Sequence, residues 1–427
     1  MDGIAGYAHR IIDDELDELG RALPAIALEG AKGVGKTATA SQRAGSLHRL
    51  DDPATRAIAQ ADVDRLLTTK PPVLVDEWQY VPPVWDRVRR AVDAGAVPGS
   101  FLLTGSASPR DAGTHSGGGR IVSLRMRPLS LAERFQGAAT VSLAALLDGR
   151  RPAVTGGAEA SLEDYVEEIL RSGFPGLRGL SGRPLRAQLD GYLARIVDRD
   201  FPELGHPVRN PSALRRWMTA YAAATATSTS FEKIRDASTG GHDAKPSRST
   251  VQPYRDVLER LFVLDPVPGW KPTRNHIAEL ALPPKHHLAD PALAARLLGA
   301  TADTLLAGAV PGPPTVRDGT LLGALFESLV TLSVRVYAQA AEARVGHLRT
   351  HRGGHEIDLV VERPDGRVVA IEVKLTATPE DADVRQLAWL RERIGEDLLD
   401  AVIVTTGREA YRRADGIAVV PAVLLGP

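Results

Sequence analysis

The stretch EGAKGVGKTATA, residues 29–40, decides how the first third of this 427-residue chain folds. It follows the pattern G-x-x-x-x-G-K-[ST], with Gly30, Gly35, Lys36 and Thr37 in the defining places. Upstream, AIALEG (25–30) reads as a short buried strand. Downstream, TATASQRAGSL reads as a helix. A strand that turns through glycines into a helix is the context this pattern needs. Glycines at 30, 33 and 35 let backbone N–H groups wrap an anion, and the helix N-terminus adds partial positive charge. Lys36 is a compact cation that reaches β- and γ-phosphates, and Thr37 offers a hydroxyl to Mg²⁺. Gly30, Ala31, Lys32, Gly33, Val34, Gly35, Lys36, Thr37 and Ala38 are therefore the expected seat of ATP.

Two later stretches complete that site. In PPVLVDEWQY (71–80) the run Val73, Leu74, Val75 is continuously apolar, as in a central parallel strand. Asp76 then falls at the strand's C-terminal end, where open α/β sheets bind ligands. Asp76 is expected to support Mg²⁺, and Glu77 to orient and activate the attacking water. The two acids also suit the cap of a following helix. A third strand, SFLLTGSAS (100–108), ends in polar residues where a nucleotide switch senses the γ-phosphate. Ser106 is the candidate and Thr104 its rival.

Composition bounds the rest. Hydrophobic residues make up 43% and charged residues 25%, ordinary for a globular chain of two or three domains. No run approaches 18 consecutive apolar residues, so no membrane span is expected. The acidic start MDGIAGYAHRIIDDELDEL does not read as a signal peptide. There is no cysteine, which excludes disulfides and thiolate metal sites and fits a cytoplasmic setting. The net charge of −1 excludes a chain-wide attraction to nucleic acid. Only 8 of the 52 basic residues are lysine. Arginine patches are therefore weak signals here, and a retained lysine is a stronger one.

Four segments follow in order: LDDPATRAIAQADVDRLL, VLVDEWQYVPPVWDRVRRAVD, LLTGSAS and GGGRIVSLRMRPLSLAER. Together they resemble the AAA-type ATPases of a large bacterial and archaeal family whose members carry a C-terminal domain of unknown function, number four-one-four-three. The resemblance covers most of the chain. It implies a homo-oligomer in which an arginine after the sensor strand reaches a neighbour's nucleotide. Arg120, in GGGR, best fits that place, although a plain surface role is open.

A Gly- and Pro-rich linker spans residues 149–161. The helical patterns LEDYVEEILRSGFPGL and LRAQLDGYLARIVDRDFPEL then resemble scaffold segments of the same family. In SRSTVQPYRDVLERLFVLDPVPGW (247–270), Ser249 and Gln252 form a capping box, with Pro253 in the first turn. Val251, Tyr254, Leu258 and Leu261 line one face. LFVLDPVPGW reads as strand, turn and strand, so the whole suggests a winged helix. Residues 209–274 carry 11 basic and 6 acidic side chains, a local +5. Lys245, Arg248, Arg255 and Lys271 would face DNA. The same helix also suits packing or a protein partner.

After a second loop (308–319), TLLGALFESLVTLSVRVYA is an apolar helix with one acid, Glu327. EIDLVVE and RVVAIEVKL are strands joined at RPDGR, a hairpin signal. Strand alternation puts Glu372 and Lys374 on one face, and the hairpin returns Asp358 to the same edge. An acid, a hairpin and then E-x-K resembles the restriction-endonuclease-like PD-(D/E)xK superfamily. The resemblance implies that Asp358 and Glu372 hold Mg²⁺, that Lys374 positions the attacking water, and that Glu327 completes the site. Residues 315–427 carry 14 basic and 17 acidic side chains, so the middle segment would have to deliver DNA.

The expected architecture is multidomain α/β. It has a P-loop AAA-type domain at 1–148, a helical and winged-helix domain at 161–306, and a nuclease-like domain at 315–427. Two functions are open. One is an ATPase that controls Mg²⁺-dependent DNA cleavage. The other is an ATP-dependent regulator, in a toxin–antitoxin or defence setting by family association, that binds DNA or a protein through a silent nuclease fold.

Overall fold

The computed structural model describes residues 6–106, 118–239, 248–272, 282–307, 319–350 and 354–427. The chain divides into two compact units. The first holds Met1–Arg127 with the short pieces Phe174–Gly176 and Arg260–Phe262, and the second holds the remainder.

In the first unit, β1 (Ala25–Glu29), β2 (Ser46–Arg49), β3 (Val73–Asp76), β4 (Phe101–Gly105) and β5 (Val122–Arg125) form one parallel sheet in the order β2-β3-β4-β1-β5. The central strands are apolar on both faces because both faces are covered. Val73, Val75 and Leu103 are sealed by Trp78, Trp85 and Val88, with the two indole rings 4.8 Å apart. Asp76 is in register with Thr104, and Thr104 with Leu28. The C-terminal ends of β1, β3 and β4 therefore lie side by side. Gly30 leaves β1 so close to β5 that a Cβ there would sit 2.2 Å from the Met126 carbonyl oxygen. Gly35, at φ 103°, turns the chain into the helix Lys36–Ser41.

The second unit begins earlier than expected. Residues 128–148 belong to it and not to the nucleotide unit. The reason is pairing with the far end of the chain. Leu131 and Ala132 donate their N–H groups to Ser333 Oγ (3.0 Å) and Tyr337 Oη (2.9 Å), and β6 (Val141–Ser142) pairs with the strand Leu425–Gly426. The segments read as middle and C-terminal domains likewise form one unit.

Its helical part includes Leu162–Arg171, Gly182–Arg195, Pro211–Ala223, Phe231–Ala237, Arg248–Arg260 and Pro291–Leu297. Tyr254 packs its ring against Phe201 and Trp217, each at 6.3 Å. Val251, Leu258 and Leu261 are buried, as the face pattern requires. The expected hairpin within LFVLDPVPGW is absent. Residues 264–270 run as one extended ribbon instead. Asp265 and Val267 each donate to a carbonyl across the way, that of His287 and that of Lys285, at 2.9 Å. Pro266 and Pro268 have no N–H to give and fall on the alternate positions. The Pro268 carbonyl and Trp270 N–H instead meet His347 on the other side.

The sheet of this unit contains β7 (Gly156–Gly157), β8 (Arg344–Arg349), β9 (Glu356–Glu362), β10 (Val368–Val373), β11 (Leu398–Thr405), β12 (Glu409–Arg412) and β13 (Ala418–Pro421), in the order β7-β12-β13-β11-β10-β9-β8. β8, β9 and β10 are antiparallel neighbours, and β10–β11 and β11–β13 are parallel. The helix Asp381–Ile394 covers one face with Val384, Leu387 and Leu390. The helix Gly319–Ala340 is long and apolar enough to cross a membrane, yet it serves as a core element here: Leu325, Phe326, Leu329 and Val334 are fully buried.

Candidate functional site

Lys36 opens its helix with its side chain buried in the loop. Its ammonium donates to the carbonyls of Gly30 (2.8 Å) and Ala31 (3.0 Å). Burial pushes its pKa down to about 8, against the pull of Glu77 and Asp76. Asp76 ends β3 under two hydroxyls. Thr37 Oγ1 donates to Asp76 Oδ1 at 2.7 Å, and Thr104 donates to the same oxygen. Glu77 has φ 56°, a left-handed conformation that a residue with a Cβ adopts only under constraint. Its Oε2 accepts from Ser106 Oγ (3.1 Å) and from the Gln79 amide. The two sensor candidates are thereby separated: Thr104 serves Asp76, and Ser106 serves Glu77.

Arg120 lies elsewhere. Its side chain is 47% exposed, pairs with Asp93 at 2.8 Å and donates to the Gly118 carbonyl at 3.1 Å. Sequence reading missed two supports of the loop. Gln79 bridges Glu77 and Ser106, the latter at 3.2 Å. Arg10 is buried and donates to the carbonyls of Val34 and Arg127, both at 2.9 Å. Gln79 stood within the quoted VDEWQ run. Arg10 carried no local signal, because its targets are 24 and 117 residues away.

The second cluster forms on β9 and β10. The turn Arg363–Arg367 sets Leu359 opposite Ile371, which brings Asp358 opposite Glu372. Lys374 Nζ donates to Glu372 Oε2 at 3.2 Å, and Val373 N–H donates to Asp358 Oδ2 at 2.9 Å. Glu327 enters from the core helix. The group that joins them is one the sequence reading passed over. Lys285 is 1% exposed, and its ammonium lies 2.8 Å from Glu327 Oε1, 3.0 Å from Asp358 Oδ1 and 3.5 Å from Glu356 Oε1. Burial favours the neutral amine, but Asp358, Glu327 and Glu356 outweigh it and hold the Lys285 proton more firmly than an ordinary lysine's. Burial also pushes the Glu372 carboxyl well up, helped by Asp358 beside it. Glu327 is raised to about 8, first by burial and then by Asp358. Asp358 stays low: burial works against it, but Lys285, the Val373 N–H and Lys374 prevail.

The expected metal trio of Glu327, Asp358 and Glu372 is therefore not a metal's donor set as placed. Both Asp358 oxygens and one oxygen each of Glu327 and Glu372 are already taken by nitrogen donors. Glu372 Oε1 is buried without a hydrogen-bond partner among the described residues, which a protonated carboxyl tolerates better than a carboxylate. Among the described residues no group of three His, Cys, Asp or Glu side chains is arranged to hold a metal.

The expected DNA face of the middle helix is also engaged. Arg255 lies over the Phe231 ring at 4.8 Å and pairs with Asp256 (3.4 Å) and Glu259 (3.7 Å). Lys245 and Arg274 lie outside the described residues, as does the side chain of Arg248.

Three family descriptions match successive parts of the chain. They are "AAA domain" at residues 23–135, "Domain of unknown function (DUF8612)" at 162–304, and "Domain of unknown function (DUF4143)" at 322–425. Two curated proteins, uncharacterized proteins of Mycobacterium bovis and Mycobacterium tuberculosis, are each 27% identical over 429 residues, covering 96% of this chain and 83% of theirs. A solved structure, the Walker-type ATPase of Pyrococcus abyssi, is 17% identical, covers 67% of this chain and 94% of its own, and gives a TM-score of 0.40. Residues 23–135, which match the AAA domain, carry the P-loop and the Asp76–Glu77 pair and make the chain an ATPase.

Proposed function

We propose that the chain is an ATP-driven switch that acts on DNA, and that its second unit has a restriction-endonuclease-like fold used for binding and not for cutting. The observation that carries the switch is the meeting of Thr37, Asp76, Glu77 and Ser106 at adjoining strand ends. Lys36 leaves its two carbonyl partners and takes the β- and γ-phosphates, which are stronger partners for an ammonium. Thr37 and Asp76 would hold Mg²⁺, whose charge supports the leaving phosphate. Glu77, released from Ser106 and Gln79, turns its carboxylate to the attacking water. Ser106 is then free to report the γ-phosphate. Arg120 reaches a neighbouring copy's nucleotide in a homo-oligomer, after parting from Asp93. The lack of cysteine suits a cytoplasmic home.

The order of helix, three antiparallel strands, helix and parallel strand supports the nuclease-like reading, as does the gathering of Asp358, Glu372 and Lys374. One observation favours the regulator over the cutter: the carboxylates are already occupied by Lys285. DNA as partner is supported by the fold type and the local +5 of residues 209–274.

The test joins both halves. Glu77→Gln should keep ATP binding and lose turnover by roughly 10²-fold or more. The wild-type chain should bind duplex DNA in a salt-dependent way and leave it intact with Mg²⁺. Cleavage that disappears in Lys374→Ala restores the nuclease reading. No binding at low salt, with or without ATP, turns the proposal toward a protein partner.

A further inference from the structure

A lysine ammonium has three N–H donors and no acceptor. Lys285 donates to Glu327 and Asp358 and lies 3.5 Å from a third carboxylate, Glu356. Its backbone is fixed as well: Lys285 and Val267 exchange N–H and carbonyl, each at 2.9 Å, and His286 N–H donates to the Thr227 carbonyl at 2.8 Å. The side chain therefore enters the cluster from a pinned ribbon and not from a loose loop.

We propose that Lys285 is the resident cation of this cluster, standing where a nuclease of this type holds a divalent metal, so that the site takes no metal while Lys285 is present. The inference rests on the reading of the second unit as a non-cutting nuclease fold and gives that reading a physical cause. A hard divalent cation wants six or more oxygens and tolerates no ammonium among them. Here the oxygens of Asp358 are both spent, and the second oxygens of Glu327 and Glu372 are at most two donors, far short of a set. Lys374 is the second cation of the cluster, 3.2 Å from Glu372 Oε2, and the buried histidines nearby add no further charge. His287 and His347 are buried, and burial keeps both imidazoles neutral. Arg349 touches only the outer carboxylate, Glu356, at 3.8 Å.

Equilibrium dialysis of the full chain against Mn²⁺ alone, without nucleotide, tests this directly. Wild type and Asp358→Asn should bind the same amount. A manganese held by wild type and lost in Asp358→Asn overturns the proposal. The complementary variant is Lys285→Met, which removes the ammonium and keeps the volume. Its unfolding midpoint should drop by about 10 °C and recover with Mn²⁺, and the recovery should vanish in Lys285→Met with Asp358→Asn. A midpoint unmoved by the substitution, or unmoved by Mn²⁺, counts against the proposal. If Lys285→Met does not fold, the dialysis of wild type against Asp358→Asn still decides. Metal binding without DNA cleavage ends this inference alone, whereas Asp358-dependent cleavage by wild type ends the non-cutting reading as well.

Discussion

Two buried lysines, one in each unit, show how little burial decides by itself. Lys36 is 5% exposed and Lys285 is 1% exposed, yet they sit at opposite ends of the electrostatic scale. Lys36 rests on two backbone carbonyls, neutral dipoles that do not repay the loss of water, and its pKa falls to about 8. Lys285 rests on carboxylates and holds its proton above the ordinary lysine range. The first is a cation kept under-satisfied, and a phosphate is the partner it lacks. The second is a cation whose needs are met within the fold, which leaves it nothing to recruit. Partner chemistry, not depth, separates a binding residue from a structural one.

The comparison breaks first at Lys36. Lys36→Ala should abolish ATP binding and turnover while leaving the nucleotide-free protein no less stable, since only a poorly paired charge is removed. Retained ATP affinity in a calorimetric titration would mean that the loop binds through its backbone alone. The opposite holds for Lys285. Lys285→Met should leave ATP binding unaltered and cost about 3–5 kcal/mol of unfolding free energy, the usual result of stripping the partner from buried carboxylates. Chemical denaturation of the two variants side by side separates the two kinds of lysine.

Alkaline pH sharpens the contrast, because the two signs are opposite. The folded-state pKa of Lys36 lies below its unfolded value of about 10.4. The folded chain therefore sheds that proton first, and the stability penalty of a buried ammonium fades as pH rises from about 8. Lys285 has its folded value above the unfolded one, so its contribution is intact below about 10.4 and is lost only beyond that, as pH rises through the folded value. ATP binding should accordingly take up close to one proton at pH values above about 8 and almost none from Lys36 at neutral pH. Binding enthalpies measured in two buffers of different ionisation heat report that proton. The smallest effect belongs to Arg120. Arg120→Ala should lower turnover several-fold at concentrations where the chain self-assembles, with ATP affinity of the dilute subunit unchanged. A turnover that is independent of protein concentration and of Arg120 confines that side chain to its surface pair with Asp93.

Legibility in the sequence followed locality. The loop from Gly30 to Ala38 and the pair Asp76–Glu77 were readable because glycine placement and an apolar strand end act over a few residues. Asp358, Glu372 and Lys374 were readable because a hairpin and a period of two fix their shared face, and the structure sets them side by side. Lys285 was not readable in that way. It reaches Asp358 across 73 residues, from a ribbon with no regular pattern. The scarcity of lysine that drew notice to Lys374 applied equally to Lys285 in LPPKHHLAD, and it was the one available signal. The LFVLDPVPGW stretch misled because prolines at 266 and 268 look like a turn, whereas they fill the positions of a ribbon that need no donor. The domain border at Arg127 was hidden for a similar reason, since residues 128–148 find their partners near residues 333–337 and 425.

That last pairing sets a timetable for synthesis. The five strands of the nucleotide sheet have all been made once the ribosome passes residue 125. The second sheet cannot close so early. β6 waits for Leu425 and Gly426, and β7 waits for β12, so these strands have no partner until residues 409–426 have been made. Long-range closure of this kind is slow. A growing chain stalled midway would therefore carry a finished nucleotide sheet followed by an apolar helix, Gly319–Ala340, still without its strands. The window for capture by a chaperone, or for aggregation, opens there and shuts only once Leu425 and Gly426 have been made.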